Sequence, residues 1–332
     1  MPPGPCRDTP LTQPPFPPGL PRDTIPVGHG PAVQFNPFPP ADPPSGLRPG
    51  PFPGPPDRSQ FVRSSPIVRF GLAFVAQFML VSCAMSPHLS PAARSDMAPT
   101  GKLRAGINLG NFLLVTKDPA GGEPLGIAVD LARELGRRAG VPVELVTYST
   151  AGSLAEAVKT GAWDVAFLGA EPERANEMTF TAAYLEIEAT YLVPAGSPLR
   201  TIADVDREGV RIAVSAKSAY DLFLSRTLQR ARLMRAQGID ASFELFVADK
   251  LEVLAGLKPR LLADAEKLPG SRVLDGRFTA IQQAIGIPRG RDAGAKYLRE
   301  FAEDVKASGL VAQTIEKHGV RGVSVAPKTP LQ

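Results

Sequence analysis

The side chains in this 332-residue sequence that could do chemistry are few, and most of them suit the grip of an anion. Arg174 closes the run Glu171-Pro-Glu-Arg174, and a guanidinium fork matches a planar carboxylate through two parallel hydrogen bonds. The same arginine has a plainer use, a surface pair with Glu171, Glu173 or Glu177 that contributes little energy. Ser218-Ala-Tyr-Asp221 follows the strand-like run Val210 to Ser215 and opens a helix. Ser218 is a suitable N-cap with Asp221 completing the box, and the free N–H groups of such a turn, those of Ala219 and Tyr220 among them, favour negative charge. Capping and ligand contact compete for the Ser218 hydroxyl. Asn108 and Asn111 stand in the loop after an early strand, where an amide both donates and accepts. Metal and thiol chemistry find no support. His29, His88 and His318 are far apart and lack ligand spacing, and Cys6 and Cys83 form no CxxC pair. His318 precedes Gly319 after a helical pattern, where a positive charge suits a helix end.

The elements that must position these groups alternate strand with helix from Gly101 onward, the pattern of an α/β protein with largely parallel sheets. Lys102 to Asn108 is a first strand. Gly126 to Gly140 sets Ile127, Leu131 and Leu135 on one helical face, with Gly140 as the stop. Val141 to Thr147 alternates as a strand, and Ser153-Leu-Ala-Glu156 is a capping box predicting a helix that Gly161 closes. Trp163 to Gly169 is the next strand, with Trp163 placed at its corner for packing.

Composition divides the rest of the chain. Residues 1 to 60 hold 21 of the 36 prolines and no apolar periodicity, which predicts disorder. Six of the 37 basic and four of the 33 acidic residues precede Ala84, so the remainder carries 31 against 29 and is nearly neutral. Its charges are interspersed, without a basic stripe or aromatic platform, which argues against a nucleic-acid partner. Arg63 and Arg69 precede an apolar run from Phe70 to Ser82 that is too short to span a bilayer and has signal-peptide proportions. It ends Leu80-Val-Ser-Cys83, which resembles a bacterial lipobox with Cys83 as the lipidated residue. Residues 61 to 83 are therefore expected to be an export signal, with translation starting near Val62 or Val68, and 84 to 100 a linker. The other reading of the run is a short buried helix.

Taken in order, Gly101-Lys-Leu-Arg-Ala-Gly, Pro124-Leu-Gly-Ile-Ala-Val-Asp-Leu-Ala, Gly161-Ala-Trp-Asp-Val-Ala-Phe-Leu-Gly, Glu171-Pro-Glu-Arg174 and Phe180-Thr-Ala-Ala-Tyr184 resemble family 3 extracellular solute-binding proteins. The resemblance runs from about Gly101 to about Val325. It implies a two-lobed periplasmic-binding-protein-like (type II) α/β fold with a discontinuous first lobe and hinge strands. Lobe one is expected at 101–188 plus 284–326, lobe two at 189–283, and a tail at 327–332. Ile187 to Pro194 and Ala280 to Pro288 are apolar and extended enough to be the crossings.

The implied function is capture of a small solute, an amino acid or a related carboxylate, for an ABC permease, by a monomeric periplasmic protein that touches the membrane only through a lipid on Cys83. No cofactor is implied. Arg174 matches the family's carboxylate clamp, Ser218 its small hydroxyl residue in lobe two, and Phe112 an aromatic cover, though Phe112 suits a core equally well. The chain departs from the pattern twice. Gly169 stands where a Ser or Thr usually helps bind carboxylate, and Leu257 where an aspartate usually meets the ligand ammonium. Glu252, Asp249 or Glu171 could replace that aspartate. A cyclohexadienyl dehydratase uses the same fold, so an enzyme with an acid such as Glu171 is the main rival. A sensor domain is a third, although nothing after Gln282 approaches twenty apolar residues.

Overall fold

The computed structural model describes residues 89–118 and 120–329. All of them fall within the unit Met79–Gln332. The Pro-rich head and the expected export signal with Cys83 lie outside the described residues.

The chain runs through α1 (Pro91–Met97), β1 (Leu103–Asn108), α2 (Ile127–Ala139), β2 (Val143–Tyr148), α3 (Ala151–Glu156), β3 (Val165–Gly169), β4 (Met178–Phe180) and β5 (Leu185–Val193). It continues with β6 (Arg211–Ser215), α4 (Ala219–Thr227), β7 (Arg232–Ala236), α5 (Ile239–Ala248), β8 (Val253–Leu257), α6 (Lys258–Ala265) and β9 (Arg272–Val273). β10 (Thr279–Pro288), α7 (Asp292–Ala307), α8 (Leu310–Lys317) and β11 (Val323–Val325) complete it.

The strand order β2-β1-β3-β10-β5-β8-β6-β7 contains one arrangement twice. In the first half β1 lies between β2 and β3, parallel to both, and antiparallel β10 follows. In the second, β6 lies between β7 and β8, parallel to both, and antiparallel β5 follows. The long strands β5 and β10 pair with each other from Leu185 to Ala189 and serve both halves: β10 continues onto β3, β5 onto β8. The fold is therefore the expected two-lobed α/β type, its first lobe completed by α7 and α8 after the chain has built the second. Both crossings coincide with the apolar stretches seen in the sequence.

Local chemistry accounts for most of the elements. Ile127, Leu131 and Leu135 are buried along α2, and Gly140 ends that helix in the left-handed conformation at φ 64°. Trp163 is fully buried and its indole N–H donates to the Leu154 carbonyl at 2.9 Å, a packing role. The capping box of α3 is one turn earlier than expected. Extended Thr150 is the cap, accepting from the Ser153 N–H at 3.0 Å, while Ser153 returns the bond to the Thr150 N–H at 3.3 Å. His318 ends α8 and contacts the Asp130 carboxylate at 2.8 Å, which ties α8 to α2 alongside Lys317.

The linker expected at 84–100 is corrected by α1. Ser90 caps it, accepting from the Ala93 N–H at 3.1 Å, and Pro91 takes the first helical position, where its missing N–H costs nothing. Ala93 and Met97, four residues apart, face inward, and the Asp96 carboxylate accepts from the Gly294 N–H of α7 at 2.9 Å. Met97 is 0 % exposed. Met97→Ala is expected to lower folding stability by about 2–5 kcal/mol, the usual range for truncating a buried side chain. Chemical denaturation checks it: an unchanged midpoint would mean that α1 does not belong to the folded unit.

Candidate functional site

Asn108, Gly169, Ser215 and Leu257 are each the last residue of a strand, of β1, β3, β6 and β8. All four line one cavity of about 50 Å³ between the two halves. Ligands in open α/β sheets sit beyond the carboxyl ends of the strands where the strand order reverses. Here the two repeated halves place those ends face to face.

Arg174 enters the lining from a tight turn fixed by its N–H bond to the Glu171 carbonyl at 3.0 Å. Its side chain spans the cleft. One guanidinium nitrogen donates to the Gly169 carbonyl at 2.6 Å and another to the Lys217 carbonyl at 2.9 Å, one in each half. Arg174 is 5 % exposed and has no carboxylate within ion-pair distance among the described residues. The surface-pair alternative is thereby removed, because Arg226 of α4 holds Glu171 at 2.8 Å and Glu173 at 2.7 Å. Burial lowers the Arg174 guanidinium to about 10, with Glu171 and Glu173 pulling it back up. It remains a cation at neutral pH.

Lys217 has φ 57°, rare for a residue with a side chain. Both of its backbone groups are employed: the carbonyl by Arg174, and the N–H by the Asp221 carboxylate at 2.8 Å. Its ammonium pairs with Glu156 across the cleft. Ser218 is the N-cap of α4, accepting from the Asp221 N–H at 3.1 Å, and it also lines the cavity with Ala219 and Tyr220. The cap leaves the hydroxyl hydrogen of Ser218 uncommitted among the described residues, so its oxygen can accept from Asp221 while the O–H donates elsewhere. Burial pushes the Tyr220 hydroxyl up to about 12, and the Ser218 and Ser215 hydroxyls beside it pull the other way.

Asn108 and Asn111 line the cavity with their amide oxygens taken locally, by the Gly110 N–H at 3.0 Å and the Leu113 N–H at 3.3 Å. Their NH₂ groups are the ends left for a ligand. Phe112 is not in the lining and is 42 % exposed, so it is neither core nor cover in this structure. Its neighbours Asn111 and Leu113 take the inward positions of that turn.

None of the acids suggested as substitutes for Leu257 reaches the cavity. Glu252 is held by Arg211, Glu171 by Arg226, and Asp249 ends α5. Leu257 itself is in the lining.

Sequence reasoning missed Gln283. It lies on crossing strand β10, is 5 % exposed, lines the cavity, and its side-chain amide has no hydrogen-bond partner among the described residues. A polar residue inside the apolar run Ala280 to Pro288 was the signal available. No group of three His, Cys, Asp or Glu side chains among the described residues could hold a metal ion.

Residues 103–321 match the model of the bacterial extracellular solute-binding proteins, family 3. The chain belongs to this family. Similar solved structures include a variant of ArgBP from T. maritima, at 21 % identity and TM-score 0.58 over 68 % of this chain and 99 % of that one. A solute receptor for L-cysteine of Neisseria gonorrhoeae matches at 21 % identity and TM-score 0.59 over 70 % and 96 %. An ancestral amino acid-binding protein, a precursor of cyclohexadienyl dehydratase, matches at 22 % identity and TM-score 0.56 over 68 % and 98 %. These likenesses show the fold.

Gly169 is more than a missing hydroxyl. A Cβ there would lie 2.9 Å from the Ala219 Cβ and 2.9 Å from Ile281 Cγ2, neither of which is the end of a flexible chain. Gly152 is similar, with Lys217 Cβ 2.7 Å from where its own Cβ would be. Gly169→Ser is therefore expected to hold the halves apart, since overpacking of this kind costs about 1–3 kcal/mol. Small-angle scattering should give a larger radius of gyration for the variant, with a lowered thermal midpoint because Ile281 lies on β10, the strand paired with β3, and stays close when the halves part; identical curves would show that the contact does not limit closure.

Proposed function

We propose that this protein is the substrate-binding component of an ABC importer, which captures a small carboxylate-bearing solute between its lobes and presents it to a membrane permease. The observation that carries the proposal is Arg174: a buried guanidinium with backbone carbonyls for partners and no carboxylate. Burying a charge without a counter-charge is strongly disfavoured, so such a site favours an anion that completes it. The N–H groups at the start of α4 add a second attraction for negative charge from the opposite lobe.

The two crossing strands suit a hinge, since a few backbone torsions in β5 and β10 would change the angle between the halves. The family is extracellular, and the apolar segment ending at Cys83 agrees with export and a lipid tether. Since one chain supplies every lining residue, a monomer is sufficient for binding. Binding is favoured over catalysis because the lining contains no aspartate, glutamate or histidine to move a proton. Glu171, the acid an enzyme would have used, has its carboxyl raised by burial, yet it is committed to Arg226.

Isothermal titration of the mature chain with a panel of amino acids and organic acids tests the proposal. Arg174→Met is expected to weaken the bound carboxylate by about 10- to 100-fold, the worth of a charge-assisted pair. Arg174→Lys keeps the charge without the fork and should recover only part of the loss. Equal affinity in all three proteins, each verified as folded by circular dichroism, would remove Arg174 from the site.

A further inference from the structure

Resting on the solute-binding proposal, we infer that the ligand of this cavity is a short monocarboxylate carrying a neutral oxygen on its second carbon, a 2-hydroxy or 2-oxo acid, and that it has no ammonium group. Three observations converge on this class.

The first is charge. The lining holds one cation, Arg174, and no acid. Two buried acids in the flanking segments are already taken, Glu171 by Arg226 and Asp221 by Arg235 at 2.9 Å. An α-amino acid would satisfy Arg174 with its carboxylate and then bury an ammonium in a lining that holds no acid to offset it.

The second is the set of neutral polar groups. Gln283 is 5 % exposed, and its side-chain amide, with no hydrogen-bond partner among the described residues, offers the cavity both a donor and an acceptor. The NH₂ groups of Asn108 and Asn111 are donors, and the Ser215, Ser218 and Tyr220 hydroxyls lie in the same lining. Such groups recognise a hydroxyl or carbonyl oxygen. None of them neutralises a cation.

The third is size. At about 50 Å³ the cavity is small, though well above the roughly 10–15 Å³ that admits a single water. Leu257 and Ile281 supply an apolar wall against which a short aliphatic end can pack.

The test compares matched pairs by isothermal titration: glycolate and glyoxylate against glycine, lactate and pyruvate against alanine, with arginine and cysteine included as larger amino acids. The hydroxy and oxo acids are expected to bind at least about tenfold more tightly than their amino counterparts, a margin well within the cost of an unpaired buried charge. Leu257→Asp restores a counter-charge and should shrink or reverse that margin. Gln283→Leu should bring lactate and pyruvate down to the affinity of propionate.

Tighter binding of glycine, alanine or a larger amino acid by the unaltered protein would overturn the inference and leave the solute-binding proposal intact. Binding of no member of the panel, by protein with an intact unfolding transition, would overturn both.

Discussion

The arrangement of this molecule depends on one buried charge. The Arg174 guanidinium lies almost wholly out of water, and its two backbone partners, the carbonyls of Gly169 and Lys217, belong to different lobes. A carbonyl dipole eases a buried cation but does not neutralise it. The same contacts that bring the lobes together therefore leave a positive site at their junction. Around it, the nearby carboxylates are kept for other work: Glu171 and Glu173 hold Arg226, whose guanidinium also lies 5.8 Å over the Phe223 ring, and Glu156 pairs with Lys217. These ionic contacts join lobe one to lobe two at the rim, and they keep those acids out of the cavity lining.

The fold delivers the charge to that point by repetition. Each half sets a central strand between two parallel neighbours and adds an antiparallel crossing strand, so each presents its strand ends to the same gap. Close approach then depends on small residues. Gly152 and Gly169 lie where a side chain would meet Lys217, Ala219 or Ile281. Lys217 is held at positive φ, and its strained conformation, of the kind that gathers at functional sites, turns its carbonyl to Arg174 while its N–H meets Asp221.

Much of the architecture was legible from periodicity. The buried face of α2, its left-handed stop at Gly140 and the packing of Trp163 follow from spacing and residue type, and the crossing strands stood out as long apolar runs. α1 was hidden because seven residues give too little periodicity, and only its contacts with α7 reveal why Ser90 and Pro91 matter. In the site, Arg174 and Ser218 were recognisable by type and neighbours. That Arg226 would capture both glutamates was not, since the residues are more than fifty positions apart in sequence. Gln283 escaped for a related reason: a polar residue in a strand acquires meaning only when the sheet shows which side faces a cavity. Phe112 illustrates the converse, an aromatic of the right type that the turn directs outward.

The most direct measurement is a crystal structure of the mature protein with the tightest-binding carboxylate of the panel. The account requires the ligand carboxylate within about 3 Å of the Arg174 guanidinium, with both lobes in contact with it and its second-carbon oxygen near Gln283. A carboxylate bound elsewhere, with Arg174 still joined only to Gly169 and Lys217, would contradict it.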